Sequence, residues 1–329
     1  MTIRRSSRIA FLLATVFAAL TPIACDTAPA PNDPTGSQSA SSSTGGAGGN
    51  AGAGGSSNGS GGAGASGSTS SSSSGAGGSS AGTEILHADF EKRAAGMYSE
   101  SMVEGDFGFA APWNNGLDEG RATIVEESGN RFLRVTYPAN EVGPNQGGVQ
   151  FKVPFGQTFD ELYLSYRVRF AEGFQFVKGG KIPGLVGGSA PTGCVNDTTG
   201  FSARMMWRSG GGAVQYMYFP EKQNPCGDDF AYDTGNGPIA FQPGTWHTVE
   251  HRIVMNTPGE NDGVLEAWFD GASALSQKAF SFRLAGATFG IDTLYFSTFF
   301  GGSDASWAPT APQMVDFDDF VVSTGPITH

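Results

Sequence analysis

The stretch FSARMMWRSGGGAVQYMYF, residues 201–219, holds two arms with a period of two around three consecutive glycines. That period places successive side chains on opposite faces of a sheet, and a glycine run between such arms signals a tight hairpin. One face is then greasy, while the other carries Ser202, Arg204, Tyr216 and Tyr218, a set better suited to chemistry than to packing. A turn centred on Gly210 sets Arg204 opposite Tyr216 and Ser202 opposite Tyr218, with opposed Cβ atoms about 5 Å apart. A slip of one residue would put the tyrosines on the other face from Arg204, so parity is the test of this reading.

The same alternation recurs in RFLRVTY (131–137), GGVQFKVPF (147–155), ELYLSYRVRF (161–170), TWHTVEHRIVMN (245–256), GVLEAWFDG (263–271), TLYFSTFF (293–300) and VDFDDFVVS (315–323). Gly, Pro, Asn and Asp clusters separate these runs, and no amphipathic helix longer than about two turns stands out. Many short strands with regular turn signals predict an all-β sandwich or jelly roll occupying residues 84–326 as one domain.

The chain begins with MTIRRSSRIAFLLATVFAALTPIAC, in which Arg4, Arg5 and Arg8 precede an apolar run from Ile9 to Leu20. That run is short for a bilayer span and reads as an export signal over residues 1–25. Its end resembles a lipoprotein cleavage box, which makes Cys25 a lipidation candidate; ordinary cleavage nearby is the alternative. Residues 26–83 are almost only Ser, Gly, Ala, Thr, Asn and Pro, a composition that cannot bury enough apolar surface to fold. As a flexible coil this tether spans roughly 40 Å, enough to hold a domain clear of a membrane. With Cys25 consumed by lipid, Cys194 and Cys226 remain as an even pair in an exported protein and are predicted to form a disulfide across the base of the hairpin.

The net charge is −12. Residues 162–222 run against that trend, with seven Lys or Arg against three acids, a local balance of +4. A basic segment beside one polar hairpin face in an acidic protein suits a local anionic ligand. Nucleic acid is not expected, because the broad basic surface it requires is missing.

Arginine and lysine beside tyrosine fit β-elimination from a uronic acid polymer. A cation must neutralise the carboxylate as the neighbouring proton leaves. Arg204 can do so with its planar fork and Lys181 with a point charge. Tyrosine can act as base or acid where nearby positive charge favours its anion, so two tyrosines cover both roles with no metal and no cofactor.

The ordered pieces FVKGGKIPGL (176–185), FSARMMWR (201–208) and VQYMYFP (214–220) resemble polysaccharide lyase family 14, which contains alginate and glucuronan lyases. The similarity extends through WHTVEHRIVMN, GVLEAWFDG and FFGGSDASWAP. It implies a jelly-roll fold with a concave cleft lined by Lys181, Ser202, Arg204, Tyr216 and Tyr218. Gln150 and Lys178 are further substrate-binding candidates, with an ordinary strand glutamine and a solvated loop lysine as their plainer readings. The stretch 189–200, with Cys194, aligns to nothing familiar and leaves substrate choice open.

Other residues carry less. His247 and His251 share a strand face but stand roughly 13 Å apart, too far to share one metal ion. Asp316, Asp318 and Asp319 read as a solvated edge, with calcium ligation the alternative, and most of the five tryptophans are expected in the core. No pair of carboxylates at glycosidase spacing is evident. The reading is therefore of an exported monomeric lyase, secreted or held by lipid at the cell surface or in the periplasm, acting on an acidic polysaccharide. A non-catalytic, lectin-like binding lipoprotein is the principal rival, and the plain solvent face of a half-buried sheet is the competing account of the hairpin.

Overall fold

The structure, a computed structural model, describes residues 82–328. The expected export signal, Cys25 and all but the last two residues of the expected tether lie outside the described residues.

Sixteen strands are described, beginning with β1 (Glu84–Ala88), β2 (Gly96–Met97), β3 (Asn114–Asn115), β4 (Ala122–Glu127), β5 (Asn130–Tyr137), β6 (Gly148–Phe159), β7 (Glu161–Phe170) and β8 (Gly179–Gly188). The rest are β9 (Gly200–Arg208), β10 (Ala213–Tyr218), β11 (Asp228–Ala231), β12 (His247–Val254), β13 (Gly263–Phe269), β14 (Ala272–Phe280), β15 (Ile291–Phe300) and β16 (Gln313–Ser323). Two short helices, α1 (Glu100–Phe107) and α2 (Gly143–Gly147), match the expectation of little helix.

The strands form two antiparallel sheets. One, in the order β11-β10-β9-β8-β15-β6-β3, carries the hairpin; the other runs β14-β13-β12-β7-β16-β5-β4-β2, with β1 added beside β16. This is the jelly-roll sandwich that the alternating pattern predicts. Its core lies between the sheets, where the inward residues of both meet.

Trp207 shows how the core fixes the hairpin's faces. Its ring packs among Phe300, Phe170, Phe174 and Tyr137, with centroids 5.3 to 5.9 Å away. Its indole N–H donates to the carbonyl of Phe176 at 3.1 Å. With Phe201, Ala203, Met205 and Trp207 all in the inter-sheet core, the pleat sends Ser202 and Arg204 to the outer face.

β8 was not legible as a strand, because GGKIPGLVGG reads as loop chemistry. Proline is tolerated inside a sheet only at a bulge or edge, and the register between β8 and β9 does shift between Ile182 and Gly184, around Pro183. The Pro183 carbonyl accepts the Tyr166 hydroxyl at 3.0 Å. At Gly184 a Cβ would lie 2.1 Å from the Ala203 carbonyl oxygen, so only glycine lets β8 approach β9 there.

Two expectations fail. Asp316 and Asp318 are no solvated edge: both are buried. Asp316 accepts Arg134 at 2.7 Å and Arg169 at 2.8 Å, while Asp318 accepts Asn130 at 2.9 Å, and burial lifts its carboxyl to about 6. Nor are most tryptophans in the core, since only Trp207 is fully buried. Trp246 instead lies under the guanidinium groups of Arg167 and Arg169, 4.9 and 4.7 Å from its ring.

The two β12 histidines lie in different surroundings. His247 bonds Asp270 at 2.8 Å and accepts the Gln242 N–H at 3.0 Å. His251 faces the core, and its burial holds the imidazole at about 3, far below its ordinary value. The unfolded chain therefore takes up this proton first as pH falls, so stability declines from about pH 6.5 toward pH 3. In urea titrations, His251→Leu should flatten that acid-side decline. Trp207→Ala should cost about 3–5 kcal/mol at neutral pH in the same assay.

Candidate active site

The ladder between β9 and β10 has the parity read from the sequence: Tyr216 pairs with Arg204 and Tyr218 with Ser202. Gly210 and Gly211 turn the hairpin with φ of 71° and 85°, values that favour glycine. Lys181 on β8 pairs with Met206 of β9, which places it on the same outer face. Its Nζ lies 4.7 Å from the centre of the Tyr216 ring and 5.7 Å from that of Phe299. The two tyrosine rings meet edge to face, 5.6 Å apart. Five side chains called from separated pieces of sequence thus converge on three neighbouring strands.

These side chains are deep rather than splayed on an open face. Lys181, Ser202, Arg204, Tyr216 and Tyr218 are each 3 % exposed or less, which removes the plain solvent-face account. Two loops fold against the tyrosine end. The backbone N–H of Cys194 donates to the Tyr218 hydroxyl oxygen at 3.1 Å, and that of Gly227 to the Tyr216 hydroxyl oxygen at 2.9 Å. The predicted Cys194–Cys226 disulfide joins the two loops. Its sulfurs pack with Met206, Val214 and both tyrosine rings in a small apolar cluster.

The opposite end of the face is built by β15 and β6, and sequence reasoning missed half of it. Arg204 donates to Ser297 Oγ at 3.1 Å, and its guanidinium carbon lies 5.3 Å from the centre of the Tyr295 ring. Tyr295 donates to Gln150 Oε1 at 2.7 Å, and Gln150 Nε2 donates to Asn115 Oδ1 at 2.7 Å. Gln150 therefore lies beside this face, with both ends of its amide bonded to the protein. The available signal for Tyr295 and Ser297 was the polar alternation within TLYFSTFF.

Lys178 does not join the group. It precedes β8, is exposed, donates to Ser306 Oγ at 2.5 Å, and stands 5.7 Å from the Trp307 ring centre. Cations also flank both phenols: Arg208 lies 5.4 Å from the Tyr216 ring centre and Lys222 5.9 Å from that of Tyr218. The arrangement thus sets two buried cations beside two phenols on one face of the sheet. Among the described residues, no group of three or more His, Cys, Asp or Glu is placed to hold a metal ion.

A family model described as polysaccharide lyase 14 matches residues 125–320. The solved alginate lyase Aly36B superposes with a TM-score of 0.63 at 26% identity, covering 74% of this chain and 98% of that one. Variants of Aly36B are solved in complex with alginate tri- and tetrasaccharide. The PL-14 alginate lyase from Aplysia kurodai shares the fold, with a TM-score of 0.61 and 24% identity over 74% of this chain and 99% of its own. Exolysin of Paramecium bursaria Chlorella virus 1 is 25% identical over 193 residues, 48% of this chain and 29% of the viral protein. The match thus spans less than a third of that relative's length.

Ser202 Oγ is buried and has no hydrogen-bond partner among the described residues. A buried hydroxyl in that state costs roughly 1–3 kcal/mol. Ser202→Ala should therefore leave the melting temperature unchanged or raise it, which differential scanning calorimetry will read.

Proposed function

The chain belongs to polysaccharide lyase family 14, and on that premise we propose that it cleaves an acidic, uronate-containing polysaccharide such as alginate or glucuronan by metal-independent β-elimination. The observation that carries the reading is the shared face of Arg204, Lys181, Tyr216 and Tyr218, with Tyr216 directly across the ladder from Arg204 and 4.7 Å beneath the Lys181 ammonium.

In the proposed reaction Arg204 and Lys181 bind the uronate carboxylate. As the adjacent C5–H bond breaks, the charge that spreads onto the carboxylate meets two fixed cations. One member of the Tyr216 and Tyr218 pair, as its phenolate, accepts that proton and becomes the neutral phenol. The electron pair forms the C4–C5 double bond, the C4–O bond breaks, and the other phenol delivers a proton to the leaving oxygen. Ser202 Oγ orients the reacting group beside Tyr218. Tyr295 and Ser297 hold the guanidinium of Arg204 in place.

The substrate class is supported by the basic segment around the hairpin and by the alginate oligosaccharides bound to the Aly36B variants. Export is supported by the N-terminal signal pattern and by the disulfide, a bond that persists in oxidising compartments. Lipid attachment at Cys25, with residues 26–83 as a spacer, would place the domain at an envelope surface.

Incubation with alginate and with glucuronan should release products absorbing in the ultraviolet from the new double bond. Tyr216→Phe and Tyr218→Phe should each lower kcat by about 10²–10⁴ with little change in KM. Binding of polyuronates without any unsaturated product from the folded wild-type protein would instead make the chain a lectin-like binder.

A further inference from the structure

We propose that the Cys194–Cys226 disulfide is a positioning device for the reaction. It holds two backbone N–H groups against the two phenol oxygens and so biases both toward their anions. The consequence for turnover rests on the lyase reading; the positioning itself does not.

A single covalent link governs both donors. Cys194 supplies the N–H on Tyr218 itself, and Gly227, which supplies the N–H on Tyr216, is the residue after Cys226. In each bond the phenol oxygen is the acceptor. A donor aimed at an ionisable oxygen stabilises its charged form more than its neutral form. Donors fixed before the reaction need no reorganisation when the charge appears.

The backbone on both sides is specialised for this approach. Cys194 has φ of 62°, directly after Gly193 at 65°. A residue with a Cβ holds that left-handed conformation only where its surroundings over-determine it, and here the bridge and the bond to Tyr218 do so. On the other side, a Cβ on Gly227 would stand 2.8 Å from Tyr216 Cζ, so a bare backbone is what lets this N–H reach the phenol.

The two loops differ in how they are secured. The loop before β11 is braced from within: Asp228 accepts the N–H groups of Gln223 and Asn224 at 2.7 and 2.9 Å, and Lys222 donates to the carbonyls of Asn224 and Pro225 at 3.1 and 3.0 Å. Between β8 and β9, side-chain bonds within the loop centre on Asp197 and Thr199, beyond its apex. Val195 beside that apex is exposed. The bridge joins the two loops at the point where both donors act.

The test uses the full chain in three forms: wild type, Cys194→Ser/Cys226→Ser and Gly227→Ala. Each is titrated with alkali while phenolate absorbance is followed, with Tyr216→Phe and Tyr218→Phe identifying the two transitions. Opening the bridge should move both transitions to higher pH, whereas Gly227→Ala should move that of Tyr216 alone. With polyuronate substrate, losing the donor on the phenol that acts as base should move the rising limb of the kcat profile to higher pH, a roughly tenfold loss at neutral pH regained at alkaline pH. Losing the donor on the phenol that acts as acid should instead move the falling limb to higher pH, and KM should change little in both cases. If both variants keep their near-ultraviolet circular dichroism and neither titration moves, the proposal is overturned. Should the serine pair not fold, Gly227→Ala alone decides, because it leaves the bridge intact. The titration needs no substrate, so an inactive wild type would refute the lyase reading while this one is still judged on absorbance.

Discussion

The antiparallel ladder between β9 and β10 has only two possible parities, and the sandwich decides between them. Trp207, Met205, Ala203 and Phe201 bury their side chains against the opposite sheet. Since Cβ directions alternate strictly along a strand, Arg204 and Ser202 have nowhere to go but the outer face. The pairing of Arg204 with Tyr216 and of Ser202 with Tyr218 then follows from the turn at Gly210 and Gly211. Core packing therefore places the polar groups: the large indole on one side of β9 is the reason the guanidinium stands on the other.

Burying cations on that face requires compensation. Lys181 and Arg204 are nearly inaccessible, and each lies over aromatic rings whose electron-rich faces attract positive charge: Tyr216 and Phe299 for the lysine, Tyr295 for the arginine. The outer face of the second sheet combines two means. There Arg134 and Arg169 converge on the buried Asp316, and Arg252 bridges Glu161 and Glu266, while the guanidinium groups of Arg167 and Arg169 also lie over Trp246.

What the sequence reveals depends on how far apart the interacting pieces lie. The hairpin is legible because its two arms are joined by a short turn and its period is regular. The disulfide is legible by counting cysteines in a chain whose N-terminal pattern predicts export. β8 is hidden because its glycines and Pro183 look like loop residues, although each has a structural reason in a bulged central strand. Tyr295 and Ser297 are hidden because nothing local ties β15 to β9; only the sheet order brings Ser297 to Arg204. The donors on the phenols are backbone groups, so no residue type announces them. Asp316 and Asp318 are misread because acidity on a last strand looks like solvation until the arginines of β5 and β7 are seen beside it.

The order of strands also bears on how the molecule comes into being. β15 lies between β8 and β6 in its sheet, so before residues 291–300 take their place that sheet is two separate pieces. Pairings so distant along the chain close slowly, because a large loop entropy is lost before any contact compensates. The β9–β10 hairpin can form while the polypeptide is still incomplete, yet the support for Arg204 arrives only with one of the last strands synthesised. A nascent or truncated product would carry the phenols without the scaffold that orients the guanidinium, and competence would appear only once nearly the whole chain has been delivered.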